Sequence, residues 1–560
     1  MSGPAAETTP SYGEVFTRRW VVEVLLDLTG YTADRDLGGL NLVEPSCGSG
    51  GFLGPAVERL LASAKAHGRS LADLGDVVRA YDLQAQHVAT TRQLCRDLLA
   101  GAGAPPVLAV ELARQWVRNG DFLLLGTGLD AADGDDVPAA DVVIGNPPYI
   151  RHDDLAPGLA AEYRRTWPTM RGRCDVYVGF IERGLQVLKP GGRLGFICAD
   201  RWMHNQYGAS LRELVARRFA VEHAWKMHDV DAFEAQVSAY PAITVIANAP
   251  QKSAVVADTT AAFGEAGGRS LVAAMADDTR VEYVGPGVAA HRLPHWFSGD
   301  GLWPTGSPAR LALIEQLNDN FGPLHDPRAG TRVGIGIATG ADKVYVTTDP
   351  DAVERDRLVP LATQRDLGSG RFEWRGTYLV NPWADDGSLV HLGDYPRLAA
   401  YLTAHPALWE RFVARKSPAS WYRTIDKLNP ALTPKPKLLL QDMKAHIHPV
   451  LEPGGHYPHH NLYYVVSDAW DMEVLGGLLL SRIAQAYIEA YCVRMRGGTL
   501  RFQAQYLKQI RVPAPESISA TLAESLRGAF RARDVDAATR AAAQAYGIDP
   551  AEFELLVPAA

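Results

Sequence analysis

The sequence predicts an α/β fold over its first 250 residues, built on a sheet with helices on both faces. Short runs of β-branched residues alternate there with helical stretches, which is the pattern of a doubly wound sheet. A glycine-rich turn follows the first strand, at the edge where such sheets bind ligands. The seven segments with the length and composition of strands are 40–44, 77–82, 116–120, 141–145, 192–198, 220–225 and 242–248.

The chain is long enough for two large units. Its 560 residues exceed what one hydrophobic core usually organises. We predict a first domain over 1–250 and a connecting segment over 251–329, which is rich in Ala, Gly, Asp and Pro, has some structure of its own and contains the domain boundary. A mixed α/β domain is predicted over 330–515, including one helix over 472–495, and a helical tail over 516–560.

Composition argues against a membrane protein and against a disulfide scaffold. Hydrophobic residues make up 47% of the chain, and no apolar run approaches the roughly 20 residues of a membrane span. Residues 1–10 lack the features of a signal or transit peptide, so we expect a cytoplasmic protein. The cysteines have no paired spacing, which predicts neither a metal site nor disulfides: Cys47, Cys95, Cys174, Cys198 and Cys492.

The net charge of −8 conceals an asymmetry along the chain. Residues 321–515 contain 23 Lys and Arg against 19 Asp and Glu, so the remainder is strongly acidic. Within this region, 411–448 carries eight basic residues and only two acids, Asp426 and Asp442. The segment predicts a basic face suited to nucleic acid, although such a cluster can also be ordinary solvated surface.

The stretch 41–54 has the pattern of a strand, a glycine-rich turn and a helix. Gly48 and Gly50 would allow a sharp turn and a close approach of the backbone to a ligand. Glu44, at the strand end, is placed to meet an amino group of that ligand. The turn alone is also compatible with nucleotide binding or tight packing, but no Lys-Ser/Thr pair follows it, which argues against an NTPase.

Two further acidic residues are predicted at the ligand-binding edge. Asp82 ends the second strand, close to where such folds hydrogen-bond a ribose. Asp121 and Phe122 follow the third strand, where the carboxylate could accept from an adenine amino group and the ring could cover the base. The alternative for Asp121 is a helix or turn cap.

The most informative stretch is Asn146-Pro147-Pro148-Tyr149, directly after the fourth strand. Two consecutive prolines stiffen the loop and donate no N–H, leaving their carbonyls free to accept. A planar amine could be held by the Asn146 side-chain oxygen and the Pro147 carbonyl while Tyr149 stacks on its ring. Both acceptors would orient the nitrogen lone pair for in-line attack on a methyl carbon. The alternative is a merely rigid turn.

These residues resemble the gamma-class, TaqI-like DNA adenine-N6 methyltransferases of type II restriction-modification systems. The resemblance covers most of 12–250. It implies a Rossmann-like, seven-stranded class I methyltransferase sheet with a C-terminal target-recognition domain. It also implies S-adenosylmethionine as cofactor and transfer of its methyl group to N6 of a flipped-out adenine in duplex DNA.

The resemblance assigns roles residue by residue. Its catalytic positions match Asn146, Pro147, Tyr149 and Phe233, with Phe233 covering the second face of the adenine so that Tyr149 and Phe233 sandwich it. Phe233 could instead be a core aromatic. The cofactor-binding positions match Tyr12, Phe16, Thr17, Glu44, Ser46, Gly48, Gly50, Asp82, Asp121, Phe122 and Asn146.

Residues 330–515 are predicted to recognise double-stranded DNA. Stretches 332–345 and 359–366 resemble the start of the target-recognition domain of large adenine methylases. The candidate DNA contacts are Arg415, Lys416, Arg423, Arg494, Arg496 and Arg501. No nuclease segment is evident, which favours a separate restriction endonuclease or another phage-defence partner. The alternatives are an RNA adenine-N6 methyltransferase and a catalytically idle DNA-binding subunit.

Overall fold

The structure, a computed structural model, describes residues 15–127, 137–235, 240–304, 308–492 and 499–549. The chain divides into two units, Met1–Trp303 and Pro304–Ala560. Both units are mixed α/β. Among the described residues, no helix is long and apolar enough to cross a membrane.

The first unit is built on one ten-stranded sheet with the order β3-β2-β1-β4-β5-β7-β6-β8-β10-β9. Its strands are β1 (Leu42–Glu44), β2 (Val78–Asp82), β3 (Val117–Asn119), β4 (Ala140–Gly145), β5 (Leu188–Ala199), β6 (Ala220–Lys226), β7 (Pro241–Ala247), β8 (Ala254–Thr259), β9 (Glu282–Gly285) and β10 (Val288–Leu293). Its helices are α1 (Arg19–Leu28), α2 (Leu53–Ala66), α3 (Ala85–Gly101), α4 (Pro106–Trp116), α5 (Pro157–Thr166), α6 (Tyr177–Gln186), α7 (Arg201–His204), α8 (Ala209–Arg218) and α9 (Glu265–Met275).

The sheet has ten strands, three more than predicted. Each of the seven predicted segments contains a strand, but β8, β9 and β10 extend the sheet beyond β6. The boundary between the two units, after Trp303, falls inside the predicted connecting segment over 251–329, but 254–293 belongs to the sheet of the first unit rather than to a connection. The composition of this segment does not predict strands, because β8 and β10 contain alanine, which is depleted in strands. β8 is placed in the sheet by pairing with β6, which sets His223 beside Val255, and β10 pairs with β8 on its other side.

The parallel strands bring their carboxyl ends to one edge of the sheet. β1 pairs with β2 and β4, placing Leu42 beside Val78 on one side and Val142 on the other. β2 pairs in parallel with β3, and β4 with β5. The residues that end or follow β1, β2, β3 and β4 therefore share this edge, which is where an open α/β sheet binds ligands.

Two hydrophobic clusters pack on the sheet. Leu42 belongs to the cluster that includes the buried residues of α1, α2 and α3, whereas its neighbour Val43 belongs to the cluster around α6 and β5. Successive side chains of a strand point to opposite faces, so the two clusters cover opposite faces of the sheet. Helix α1 illustrates the pattern, since its buried residues Val21, Val22, Leu25 and Leu26 recur at helical spacing.

The second unit contains two four-stranded sheets, ordered β12-β20-β16-β18 and β13-β15-β14-β19, and the pairs β11-β22 and β17-β21. Its strands are β11 (Gly322–Pro323), β12 (Thr331–Ile335), β13 (Val346–Thr347), β14 (Leu358–Ala362), β15 (Tyr378–Val380), β16 (Lys437–Gln441), β17 (Met443–Lys444), β18 (Val450–Glu452), β19 (Tyr457–Pro458), β20 (Leu462–Ser467), β21 (Leu500–Arg501) and β22 (Arg511–Val512). Its helices are α10 (Pro308–Asn320), α11 (Asp342–Tyr345), α12 (Pro396–Thr403), α13 (Ala407–Glu410), α14 (Phe412–Lys416), α15 (Met472–Leu480), α16 (Arg482–Tyr491), α17 (Ala504–Leu507), α18 (Ala520–Ala532) and α19 (Val535–Tyr546).

The helix predicted over 472–495 is two helices, α15 and α16, separated at Ser481. Ser481 has extended backbone angles, and its hydroxyl accepts from the N–H of Ala484 as the N-cap of α16. Residues 493–498 lie outside the described part of the chain. The predicted tail contributes α18 and α19, both of which contact α15 within the second unit.

Candidate functional site

A cavity of about 640 Å³ opens at the carboxyl edge of the first unit's sheet. It is formed by the residues that follow β1 to β4, closed on one side by 15–17 and on another by 154–163. Its polar lining includes Thr17, Glu44, Ser46, Ser49, Asp82, Gln84, His87, Asp121, Asn146, Asp154 and Tyr163, and its apolar lining includes Phe16, Leu83, Phe122, Pro147, Pro148, Tyr149, Leu159 and Phe180.

Two glycines of the glycine-rich turn, Gly48 and Gly50, have different roles. Gly48 has a φ of +49°, and a Cβ there would meet open space, so the position needs glycine for its backbone conformation. Gly50 has a φ of +93°, and a Cβ there would lie 2.7 Å from Leu94 Cδ2 of α3. Gly50 does not line the cavity, so its predicted approach to a ligand is replaced by packing of the turn against α3.

Asp82 holds the glycine turn in place. Its carboxylate accepts hydrogen bonds from the N–H of Gly48 at 2.9 Å and from the N–H of Gln84 at 2.8 Å. Oδ1 also lies 3.4 Å from His87 Nδ1, whereas Oδ2 keeps a second lone pair for a ligand hydroxyl. Asp82 therefore has a structural role that joins the ends of β1 and β2, and its ribose contact stays a prediction.

Glu44 is a buried carboxyl group at the end of β1. It is 1% exposed, and its Oε2 has no hydrogen-bond partner among the described residues. Burial, together with the charge of Asp82, raises the pKa of Glu44 well above its usual range. A buried carboxyl without a donor is costly, which suits a site that receives a cation or a hydroxyl donor from a ligand.

Asp121 has a partner that the sequence did not reveal. The hydroxyl of Tyr163 on α5 donates to Asp121 Oδ2 at 2.6 Å, and the N–H of Leu123 donates to Oδ1 at 2.9 Å. The contact with Leu123 is a turn cap, the alternative role of Asp121 that the sequence allows. Burial raises the pKa of the Tyr163 hydroxyl, as does its hydrogen bond to Asp121.

Phe122 lines the cavity from within the core. The side chain is 1% exposed and stacks on Phe180, with ring centroids 5.6 Å apart and an interplanar angle of 26°. Sequence reasoning missed Phe180, since it lies on α6 rather than after a strand. Leu83, which directly follows Asp82, also lines the cavity and is 57% exposed; its position after a strand end is the sequence signal for it.

Asn146 follows β4, and hydrogen bonds from its side-chain amide fix the orientation of that amide. Its Nδ2 donates to the carbonyl of Val15 at 2.9 Å and to Thr17 Oγ1 at 3.2 Å. Its Oδ1 is buried and has no partner among the described residues. The arrangement leaves an unused acceptor at the cavity, beside the Pro147 and Pro148 loop.

Tyr149 and Phe233 are brought together, as the resemblance implies, but they are not parallel. Their ring centroids are 6.5 Å apart at an interplanar angle of 84°. A base cannot lie flat between perpendicular rings, so a sandwich requires one ring to turn. Phe233 lies outside the cavity lining and is 7% exposed, whereas Tyr149 lines the cavity. Burial raises the pKa of the Tyr149 hydroxyl.

The N-terminal segment reaches both the cavity and the Phe233 loop. Phe16 and Thr17 line the cavity, and Ser46 donates to the Asn146 carbonyl at 3.3 Å. Thr17 and Phe233 form an antiparallel bridge. Tyr12 lies outside the described residues.

The predicted DNA contacts have different surroundings. Arg415 and Lys416, at the end of α14, are exposed. Arg501 pairs with Asp442, with Nη2 and Oδ2 2.6 Å apart, and Arg423 packs over Trp383. These two arginines are therefore tied to neighbours within the fold. Arg494 and Arg496 lie outside the described residues.

One group in the second unit has metal-ligating residue types, although the sequence predicted no metal site. Within the described residues, Asp342, His459 and His460 place one ligand atom each within 4.8 Å of one another. Asp342 Oδ2 already pairs with His459 Nε2 at 3.0 Å, and Oδ1 accepts from the Thr339 hydroxyl. His460 Nδ1 lies 3.9 Å from the same Asp342 Oδ2.

Comparison with known proteins identifies the family. The model of the Eco57I restriction-modification methylase family matches residues 135–233, which include the Asn146 loop. Type II methyltransferase M.PaeR7I of Pseudomonas aeruginosa is 42% identical over 549 residues, covering 97% of this chain and 93% of that protein. Type II methyltransferase M.XhoI of Xanthomonas vasicola is 40% identical, covering 97% of this chain and 98% of that protein. The chain belongs to the type II methyltransferases.

The fold of this type II methyltransferase is also found among solved structures. The type IIL restriction-modification enzyme MmeI, solved in complex with DNA, has a TM-score of 0.59 over 96% of this chain and 75% of its own. The two sequences are 12% identical, so the likeness concerns the fold. It extends over both units of the type II methyltransferase, including the one that carries Arg415 and Lys416.

Proposed function

We propose that this chain transfers a methyl group from S-adenosylmethionine to N6 of an adenine in duplex DNA, as the modification enzyme of a restriction-modification system. The observation that carries the proposal is the unpartnered Oδ1 of Asn146 at a cavity beside two consecutive prolines. An acceptor held there, with no N–H from the following two residues, suits an amine substrate.

The cavity fits a nucleoside-containing methyl donor. Its volume of about 640 Å³ lies within the range of small-molecule sites. The unpartnered Oε2 of Glu44 suits the donor's ammonium group, and Oδ2 of Asp82 suits a ribose hydroxyl. Asp121 and Phe122 would meet the adenine end. When bound, S-adenosylmethionine supplies a sulfonium-activated methyl carbon as the electrophile.

Asn146 and Pro147 would hold the acceptor amine. Oδ1 of Asn146 and the carbonyl of Pro147 each accept one N–H, which draws the nitrogen from planar toward tetrahedral geometry. The lone pair is then directed into the cavity, where the methyl carbon would lie. The methylated nitrogen is acidic enough to lose its proton afterwards, so the proposal requires no general base from this chain.

Tyr149 and Phe233 would cover the extruded base. Stacking on aromatic side chains is worth about 1–3 kcal/mol per base, which helps offset the few kcal/mol needed to extrude it. Their perpendicular arrangement supports contact with one face and one edge, so we propose that one ring turns when the base enters.

The second unit would read the DNA. Around Arg411, three large apolar side chains are exposed: Trp409 by 47%, Phe412 by 77% and Ile425 by 48%. Arg415 and Lys416 lie on the same helix as Phe412. An exposed apolar group flanked by cations suits a partner with both bases and phosphates. The likeness to the DNA-bound MmeI fold and to type II relatives supports duplex DNA. We further propose a separate restriction endonuclease as its partner.

Modification mapping tests the proposal directly. DNA from a host that expresses the wild-type chain should carry N6-methyladenine at one sequence motif, and the mark should be absent with Asn146→Ala. Labelled methyl donor offered to purified DNA and RNA separates the runner-up, an RNA adenine methyltransferase. Label in RNA alone would overturn the DNA assignment. Binding of DNA without binding of the donor would instead indicate an idle DNA-binding subunit.

A further inference from the structure

The amide of Asn146 needs a fixed orientation if its oxygen is to accept from a substrate amine. The two ends of an asparagine amide are similar in size, so packing alone discriminates weakly between them. If the NH₂ group of Asn146 pointed into the cavity, it would face the N–H groups of the substrate amine, and the proposed hydrogen bond could not form. The groups that accept hydrogen bonds from Nδ2 therefore determine whether Oδ1 is available to the substrate amine.

Two acceptors from the N-terminal segment hold Nδ2. The carbonyl of Val15 can only accept, so it selects the orientation in which the NH₂ group faces it, at 2.9 Å. The hydroxyl of Thr17 takes the second amide hydrogen at 3.2 Å. These contacts join residues 131 and 129 positions apart, and they leave Oδ1 as the free end of the amide.

Thr17 is itself fixed from two sides. Helix α1 begins two residues later, at Arg19. The N–H of Arg18 donates to the Ala232 carbonyl at 2.9 Å, and the N–H of Glu234 donates to the Phe16 carbonyl at 2.9 Å. Thr17 is 9% exposed. The same short bridge that places Phe233 therefore also places the hydroxyl that bonds Asn146.

We propose that Thr17 is a positioning residue for methyl transfer, acting through Asn146 rather than mainly through the cofactor. The inference rests on the proposed function. The Val15 carbonyl selects the orientation of the Asn146 amide, and Thr17 Oγ1 takes its second N–H, which holds the amide in position with Oδ1 directed at the acceptor amine. The cofactor role that the resemblance assigns to Thr17 is then secondary.

The test compares Thr17→Val, Thr17→Ser and Thr29→Val in the full-length chain. Thr17→Val keeps the shape but removes the acceptor, whereas Thr17→Ser retains it. Thr29→Val is the matched control, because Thr29 is also buried, at the end of α1, and bonds only to the Leu25 and Leu26 carbonyls in that helix. Two quantities are measured: the single-turnover rate of transfer to adenine-containing duplex DNA, and the Kd of S-adenosylmethionine by calorimetry.

We expect Thr17→Val to lower the transfer rate by about ten- to a hundred-fold, with the donor Kd changed by less than about threefold. Thr17→Ser should recover most of the rate, and Thr29→Val should keep it. A loss of donor affinity that matches the rate loss would overturn the proposal and make Thr17 a cofactor contact. A Thr17→Ser rate as low as that of Thr17→Val, or no loss in either, would overturn it as well. A wild-type chain that binds donor but methylates no adenine in DNA would instead overturn the proposed function.

Discussion

At the scale of single residues, substitution of Asn146 should affect methyl transfer but not cofactor binding. Asn146→Ala removes Oδ1, the group proposed to hold the acceptor amine, and should lower the transfer rate by about 10²–10³. The donor Kd should change little, because donor binding is proposed to depend on Glu44, Asp82 and Asp121. Calorimetry with the donor and a methyl-transfer assay measure the two effects.

A matched control is Asn41→Ala, which removes an amide at the opposite end of β1 that bonds to the Ala139 carbonyl. It should leave transfer near the wild-type rate. If Asn146→Ala weakened donor binding as strongly as it slowed transfer, Asn146 would be a cofactor residue rather than an acceptor residue.

Glu44 predicts a pH dependence of donor binding. Burial raises its pKa above the ordinary value of 4.5, so the free protein carries a protonated Glu44 at pH values where an exposed glutamate is ionised. An ammonium group stabilises the ionised form, so binding should release a proton. Donor affinity should therefore rise with pH until the pKa of Glu44 in the free protein is passed.

Calorimetry in two buffers with different ionisation enthalpies counts the released proton. Glu44→Gln, which cannot ionise, should bind the donor more weakly and release no proton over the same pH range. Proton release that persists in Glu44→Gln would assign the titration to another group.

At the scale of elements, helix α14 is expected to contact phosphates. Arg415→Glu and Lys416→Glu should weaken binding to all DNA sequences and flatten its dependence on salt. Each lost phosphate contact reduces the slope of log K against log salt by about 0.9, since fewer counterions are released on binding. Fluorescence anisotropy at several salt concentrations gives the slope.

Arg540→Glu is a suitable control, because Arg540 is exposed on α19 of the same unit. It should preserve the slope. Arg423, which we also predicted as a phosphate contact, is a poorer probe, since it packs over Trp383 and its reversal would disturb the fold. An unchanged slope for both α14 variants would show that the DNA-binding surface does not include α14.

The helices and strands of the fold are only partly predictable from the sequence. The seven strand segments were found because β-branched runs between turns are local signals. The break at Ser481 was missed because the residues around it are helix formers, and only the hydroxyl cap reveals it. Strands β8 to β10 are not predicted because their composition is a weak strand signal and their place in the sheet depends on pairing, of β8 with β6, of β10 with β8 and of β9 with β10.

At the scale of the whole molecule, the boundary at 303 predicts which fragments fold. The fragment 1–303 keeps β8 to β10 and the packing of Trp303 on Trp202, whose ring centroids are 4.8 Å apart. It should unfold cooperatively and bind the donor but lose sequence-specific DNA binding. The fragment 1–250, which stops at the end of the predicted first domain, exposes the edge of β6 and should be poorly folded or aggregate.

Circular dichroism during thermal unfolding, donor calorimetry and DNA binding compare the two fragments. Cooperative unfolding of 1–250 with full donor affinity would show that β8 to β10 are dispensable. Sequence-specific binding by 1–303 would contradict the assignment of DNA reading to the second unit.

The sequence by itself determined the features that depend on neighbouring residues. The glycine turn after β1, the Asn146-Pro147-Pro148-Tyr149 loop and the strand ends at Glu44 and Asp82 follow from short patterns, because backbone preferences act over a few residues. The tertiary structure alone decided the rest of the site. Asp121 meets Tyr163 across 42 positions, and Asn146 meets Val15 across 131. No local pattern encodes such hydrogen bonds, because their partners are brought together only when the sheet and its helices pack.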